Sequence, residues 1–524
     1  MIRKGYTSLR KAFSHPAICA GVILALILLA ETMAILILNR GMFCYSLDDP
    51  YIHLRLAQNI IRGSYGLNLG EPSSPSSSIL WPFLLAIFAA LRVEYFAPLV
   101  INVAAAFASL AVIREILRAA LGERSEKAMV RKHALLLFFL ALGLNIVGLV
   151  FIGMEHSLQV LCAMLVVAGL IREKETGRMT WWLAAGIVIG PLLRYENLFL
   201  SLPALLYLLE RKHIRASILL GTILAALLAA FSAFLYSQGL GFLPASILAK
   251  SSALIAAGGT DFTGRFLLIF QRRESGLLAA GVLLLLLPMF SGKTRDPESV
   301  FCATIGIAGV LHLLFGDYGW FARYEIYIWA AVVLALFYHY RATIAGWLES
   351  VSAPSLAAVL SLAVMLLCPA YLTALLNTPR SAQNIYLQQY QMHRLAADTL
   401  HEPVGANDLG WVAYQNDQYV LDLIGLSLPD LARTEYRALP GEWLEKRTVE
   451  EGVRLVMIYN DWVPQRPESW VLLARLRFTV PRIFVASDTV SLYATAPEFT
   501  SSLRETLIGF RESLPDGAVL DMEP

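Results

Sequence analysis

The run Ala17–Leu38, 22 residues interrupted only by Glu31 and Thr32, limits what this chain can fold into more than any other feature. As a helix rising about 1.5 Å per residue it reaches roughly 33 Å, enough to cross a bilayer's hydrocarbon core. Comparable apolar runs recur near 96–117, 134–152, 156–171, 181–193, 196–209, 216–237, 276–290, 299–316, 324–340 and 354–376. Hydrophobic residues make up 57% of the chain and charged residues only 16%, where a soluble domain carries about 25% charged residues. The chain reads as a polytopic α-helical membrane protein with about eleven spans. Its net charge of +2 offers no basis for a nucleic-acid partner.

Charge sets the expected topology. Ile79–Leu91 is apolar but short, and counting it as a crossing would place the basic loop 118–133 outside. Treated as a re-entrant or surface helix, it leaves that loop inside, together with IREKETGR, ERKHIR, SGKTR and HYR, as the positive-inside rule requires. The N-terminal MIRKGYTSLRK then reads as the inner flank of an uncleaved anchor, because no small-residue cleavage site follows the apolar run. The outer side receives 39–78, the turn 153–156, 194–197, 237–275, 316–325 and everything after about Asn377. The five cysteines (Cys19, Cys44, Cys162, Cys302, Cys368) lie in or beside apolar runs without a CxxC pair, which argues against a disulfide framework or a zinc site.

Beyond residue 379 the character changes. Strand-like runs at Pro403–Asn407, Tyr419–Leu423, Arg454–Asn460, Arg482–Ala486 and Val490–Ala494 are expected to alternate with helices, clearest at Gln383–Leu400 and Gly441–Glu450. A transmembrane domain over 1–379 followed by an extracytoplasmic α/β domain over 380–524 is the organisation this predicts.

The first outer loop, 39–78, carries an acidic pair, Asp48 and Asp49, at the start of a segment in which Tyr51, Leu54, Ala57 and Ile61 recur at helical spacing. Aspartate is a favoured helix cap, so the residues alone leave two readings open, a cap or a reactive group. DDPYIHLRLAQNI followed by GLNLGEPSSPSSSILWP resembles the opening signature of the GT-C glycosyltransferases, in the form seen in mycobacterial arabinofuranosyltransferases and family 39-like membrane enzymes. Its DPYIHLR portion is also similar to the signature of the oligosaccharyltransferase catalytic subunit. GMEHSL (153–158), RYEN (194–197), LGFLPASILAKS (240–251) and GDYGWFARYE (316–325) resemble later motifs of that superfamily, in the same order. His156, Tyr195, Ala245 and Ser246 depart from those motifs, and the departures bear on sugar and acceptor more than on reaction class.

The resemblance implies an inverting transfer from a polyprenyl-phosphate sugar to an envelope glycan, glycolipid or protein acceptor, at the outer face of the inner membrane. Asp48 or Asp49 would take the acceptor proton, and Lys250, Arg194 and Arg323 would hold the departing phosphate. His53, Arg55, Glu155, His156, Tyr195, Glu196, Asp317 and Tyr324 would bind substrate or support those groups. Each has a plainer alternative: Lys250 and Arg323 as snorkelling interfacial anchors, Arg194 and Glu196 as a structural ion pair, Glu155 as a cap, His53 and Arg55 as water-facing residues. No cofactor is assigned, although Asp49, Glu155 and His156 offer ligands to a divalent metal, imidazole being poorer than carboxylate for Mg²⁺. In ANDLGWVAYQNDQYVLDLIGL (406–426), Asn407, Asp408, Asp417 and Asp422 read as turn chemistry rather than catalytic groups, and Trp411, Tyr414 and, further on, Trp462 as core aromatics, with stacking on sugar rings as the alternative. His312 and Asn145 read as satisfied bundle residues. A transporter or flippase for lipid-linked sugars is the competing class, but no internal repeat is visible and the polar clusters gather on one expected face.

Overall fold

Inside hydrocarbon every backbone N–H and C=O must find a partner within the chain, so long apolar runs become helices. The computed structural model describes residues 16–122, 127–245, 272–291, 296–425 and 439–524. It opens with α1 (Pro16–Leu38), the outer-loop helix α2 (Asp49–Ile61) and the short α3 (Leu80–Ala90). Then come α4 (Ala97–Leu121), α5 (Lys127–Gly143), α6 (Ile146–Ile152), α7 (His156–Thr176), α8 (Trp181–Leu193), α9 (Leu198–Glu210) and α10 (Ile214–Ser237). The bundle ends with α11 (Arg273–Leu286), α12 (Pro297–Phe315), α13 (Ile326–His339), α14 (Arg341–Ser350) and α15 (Ala353–Leu367).

Among the described residues, 7 helical segments are long and apolar enough to cross a membrane, and two bent pairs add to them. Helices α8 and α9, 13 residues each, meet at a tight turn over Tyr195–Asn197, the break expected at RYEN. The chain is a polytopic membrane protein. The span expected over 354–376 needs correction: after Leu367 the chain bends by 86° into α16 (Pro369–Leu387). Pro369 disfavours helical backbone at Cys368, which sits at φ −126° and ψ 37°.

Helix α3 leaves and returns at one end of the bundle. The Ile79 amide donates to the Leu192 carbonyl (3.0 Å), and just past the helix Glu94 accepts from Gln58 of α2 (3.0 Å). Its 11 residues rise only about 16 Å, too short to cross. The other turns sort by contact in the same way. Asp49, Glu155, Arg194 and Arg323 meet at one end. Lys174, Glu298, His339 and Arg341 meet at the other, where Lys132 also donates to the Leu348 carbonyl (2.6 Å). Among the described residues, the turns bearing Lys174, Arg211 and Arg341 thus share one end of the bundle and the motif-bearing turns the other.

The C-terminal part adds α17 (Gln389–His393), α18 (Gly410–Ala413), α19 (Gly441–Glu450) and α20 (Thr500–Arg511) around a six-stranded mixed sheet. Its strands are β1 (Val404–Ala406), β2 (Val420–Asp422), β3 (Leu455–Ile458), β4 (Val471–Phe478), β5 (Thr489–Ala494) and β6 (Ala518–Met522), in the order β2-β1-β3-β5-β4-β6. β1 runs parallel to β2 and β3, and the remaining pairs are antiparallel. Arg482–Ala486 is not a strand; it leaves the sheet and packs toward the bundle. The helix expected over Gln383–Leu400 is broken at Gln388 (φ −121°, ψ −77°). Helix α16 runs through residues 379 and 380, where the two domains were expected to part.

The spacing of Tyr51, Leu54, Ala57 and Ile61 fits an amphipathic helix lying along the membrane surface, yet α2 is covered on almost all sides and Ile61 is the exposed one of the four. Tyr51, Leu54 and Ala57 join the bundle core, while Ile52 joins the core beneath the sheet with Met392 and Val404. The helix is wedged between the two.

Candidate active site

Pro50 in the first turn starts α2 at little cost, since its missing N–H has no helical partner there. The two aspartates before and at that turn go separate ways. Asp48 does not cap its own helix. Its Oδ2 accepts the Gly410 amide (2.6 Å) and its Oδ1 the Trp411 amide (2.9 Å), at the first turn of α18. Asp48 is only 8% exposed. Burial pushes its carboxyl well above the usual carboxylate range and Asp408 adds to the rise, while the two amides pull it back.

The Asp49 side chain is 36% exposed and meets Arg323, whose Nη2 lies 2.6 Å from Asp49 Oδ2. Arg323 is delivered by an unusual turn: Gly319, Trp320, Phe321 and Ala322 all adopt positive φ (84°, 45°, 65° and 52°). Each non-glycine there costs about 1–2 kcal/mol of backbone strain, so the turn needs outside support. Gly319 N–H donates to Glu325 Oε2 (2.9 Å), and the Phe321 ring packs on Phe484 at 4.2 Å. The Arg323 guanidinium is 3% exposed. Its Nη2 also reaches the Tyr324 hydroxyl (3.2 Å), while Nε and Nη1 find no partner among the described residues.

Tyr324 joins this pair to a second cluster. Its ring lies 5.1 Å from the Arg323 guanidinium carbon, 5.7 Å from that of Arg194 and 6.2 Å from the His156 ring. Arg194 is held by Glu196 (2.6 Å), Glu155 (3.2 Å) and the Ser77 hydroxyl (2.9 Å). The Tyr327 hydroxyl donates to the Glu196 carbonyl (2.9 Å). Asp49, Glu155, His156, Arg194, Glu196, Arg323 and Tyr324 thus gather from four separate motifs.

The other expected residues lie around this group. Arg55 Nε donates to the Leu67 carbonyl (2.9 Å), and Asn59 donates to the Gly66 and Leu67 carbonyls (2.8 and 2.9 Å), so both brace the returning loop. Burial lowers the Arg55 pKa to about 10. His53 is buried in α2, against the water-facing alternative. Tyr195 is half-buried in the turn after Arg194, and Asp317 opens the turn that follows α12. Lys250 lies outside the described residues, as does most of its loop. Sequence reasoning does not single out Ser77, within the serine run of the outer-loop motif, or Gly410, just past β1, and it reads Trp411 only as an aromatic of the C-terminal domain.

Asp49, Glu155 and His156 are the residues read above as offering ligands to a metal. Asp49 and Glu155 are each engaged by a guanidinium, so no step is assigned to a metal there. Among the described residues, Glu298, Cys302 and His339 do bring three ligand atoms within 4.8 Å of one another. They lie across the 19-residue α12 from the Arg323 turn, about 28 Å away along the helix axis. Glu298 is already bonded there by Lys174 and Arg341.

Residues 383–493 match the family model described as a domain of unknown function (DUF8728). A comparison with curated proteins gave no match. Among solved structures, ArnT from Cupriavidus metallidurans bound to undecaprenyl phosphate is similar at 11% identity and a TM-score of 0.42, over 92% of this chain and 99% of that one. The Archaeoglobus fulgidus oligosaccharyltransferase in complex with Zn and sulfate is similar at 12% identity and a TM-score of 0.41, over 95% of this chain and 75% of that one. Arabinofuranosyltransferase AftD from Mycobacteria is similar at 13% identity and a TM-score of 0.38, over 90% of this chain and 41% of that one.

Proposed function

We propose that the chain is an inverting glycosyltransferase of the GT-C kind. It would move a sugar from a polyprenyl-phosphate donor to a hydroxyl of an envelope glycan, glycolipid or protein, at the outer face of the inner membrane. The observation that carries this reading is the 2.6 Å contact between Asp49 and Arg323, which joins the first and last of the superfamily-like motifs. Acceptor activation needs a carboxylate and phosphate stabilisation needs a cation, and this contact brings one of each to the same end of the bundle.

In this mechanism Asp49 takes the proton of the acceptor hydroxyl as its oxygen attacks the anomeric carbon. The bond from that carbon to the phosphate oxygen breaks on the opposite face, and the electron pair leaves with the phosphate. Arg323 meets the growing charge with its Nε and Nη1 donors, which have no partner among the described residues. Arg194, neutralised by Glu155 and Glu196, holds the wall of the site, and Lys250 is the second phosphate-binding cation. Asp48 is not the base, because amides occupy both its oxygens.

The test is incubation of the purified full chain with a polyprenyl-phosphate sugar and envelope acceptors. Release of free polyprenyl phosphate and a product of inverted anomeric configuration are expected. Donor binding or translocation without release would favour the transporter reading. Mass spectrometry of envelope glycans from a deletion strain then names the sugar and acceptor.

A further inference from the structure

We infer that the C-terminal domain is the clamp that sets the geometry of the reacting pair. It grips the Asp49 helix through Asp48 and the Arg323 turn through Phe321. Asp48, Gly410 and Phe484 are therefore positioning residues, an inference that rests on the roles given above to Asp49 and Arg323.

The first grip is built to leave no play. Gly410 and Trp411 give their amides to Asp48, and Tyr51, two residues past Asp49, stacks on Trp411 with ring centroids 4.1 Å apart. Only glycine fits at 410: a Cβ there would lie 2.1 Å from the Asp48 carbonyl oxygen and 2.6 Å from its Oδ2. The gripping segment is itself tied to the sheet. Asn407 Oδ1 accepts the Tyr459 amide (2.7 Å), and the Tyr459 hydroxyl lies 2.8 Å from Asp408 Oδ2.

The second grip comes from 481–487, which leaves the sheet rather than extending it. Asn384 holds it at both sides, accepting the Ile483 amide (2.8 Å) and donating to the Pro481 carbonyl (3.1 Å). This sets Phe484 on Phe321, the third of the four positive-φ residues that deliver Arg323. A further clasp lies at the far end of the outer loop, where Asn68 exchanges hydrogen bonds with the Val420 backbone (3.0 Å each).

Asp49 and Arg323 stand 274 positions apart on elements with no covalent reason to keep a fixed distance. One domain holds the neighbour of each. A segment matching a domain of unknown function thereby gains a role, since Asn384, Gly410, Trp411 and Phe484 all fall within it.

The test uses steady-state transfer by the purified full chain carrying Gly410→Ala, Phe484→Ala or Phe484→Tyr. A displacement of the reacting groups by about 1 Å is enough to lower kcat roughly 10–100-fold. That loss is expected for Gly410→Ala and Phe484→Ala, with donor and acceptor KM nearly unchanged, the fold retained and Phe484→Tyr restoring most of the rate. Should Gly410→Ala fail to fold, the two Phe484 variants decide. Wild-type kcat in folded Gly410→Ala and Phe484→Ala overturns the clamp, and so does a loss confined to acceptor KM, which would make the domain an acceptor site. A wild-type chain without transfer activity would instead defeat the transferase reading beneath it.

Discussion

The carboxylate of Asp49 lies 2.6 Å from Nη2 of Arg323, while the carboxylate of its neighbour Asp48 turns to the amides of Gly410 and Trp411. Side chains at adjacent helical positions diverge by about 100°, so the pair cannot converge on one reacting atom. One aspartate faces the bundle's polar cluster, and the other is built into the C-terminal domain.

Arg323→Ala should lower transfer by about 10²–10³-fold, the loss typical when one preorganised charge donor is removed. Donor KM should change less than kcat, because the leaving phosphate gains its charge in the transition state. Lys250→Ala is expected to act in the same direction. Steady-state kinetics of the purified variants check this, and wild-type turnover by both would reduce these residues to interfacial anchors.

Arg194 should matter first to stability. It is 3% exposed and faces Glu155, which is fully buried, at 3.2 Å. Removing one partner of such a pair costs about 3–5 kcal/mol, because the remaining charge stays buried without compensation. Arg194→Met should therefore lower the thermal midpoint in detergent by several degrees, and Arg194→Met with Glu155→Gln should recover part of it. Equal midpoints for the single variant and wild type would contradict the pairing.

Much of this arrangement is legible in the sequence because it follows from local patterns. Apolar runs mark most of the spans, although not the bend after Leu367, and the short Ile79–Leu91 run announces a helix too short to cross. RYEN and GDYGWFARYE stand out as polar segments between apolar ones. What escapes is whatever long-range packing decides. Nothing local separates Asp48 from Asp49, since the choice depends on amides 362 and 363 positions away. Trp320, Phe321 and Ala322 carry no left-handed preference, and tertiary contacts hold them there. Val471–Phe478 places Arg475 and Arg477 among apolar residues, which hides the longest strand, and Arg482–Ala486 looks like a strand yet packs on the bundle.

Sidedness is testable by single cysteines in a cysteine-free background. A cysteine at His401 should react with a membrane-impermeant thiol reagent applied from the outer side, and one at Lys127 should react only after the membrane is opened. Labelling at 127 without labelling at 401 would invert the topology and place the Asp49 end of the bundle inside.

Turnover of a polyprenyl-phosphate sugar by Asp49→Asn and Asp48→Asn, with unfolding midpoints measured in parallel, tests the assignment of Asp49 most directly. Asp49→Asn should fold, bind donor and transfer no sugar above background. Asp48→Asn keeps one acceptor oxygen for the two amides, and should retain measurable turnover with a lowered midpoint. Folded Asp49→Asn protein transferring sugar at the wild-type rate would contradict the role of Asp49 and the mechanism built on it.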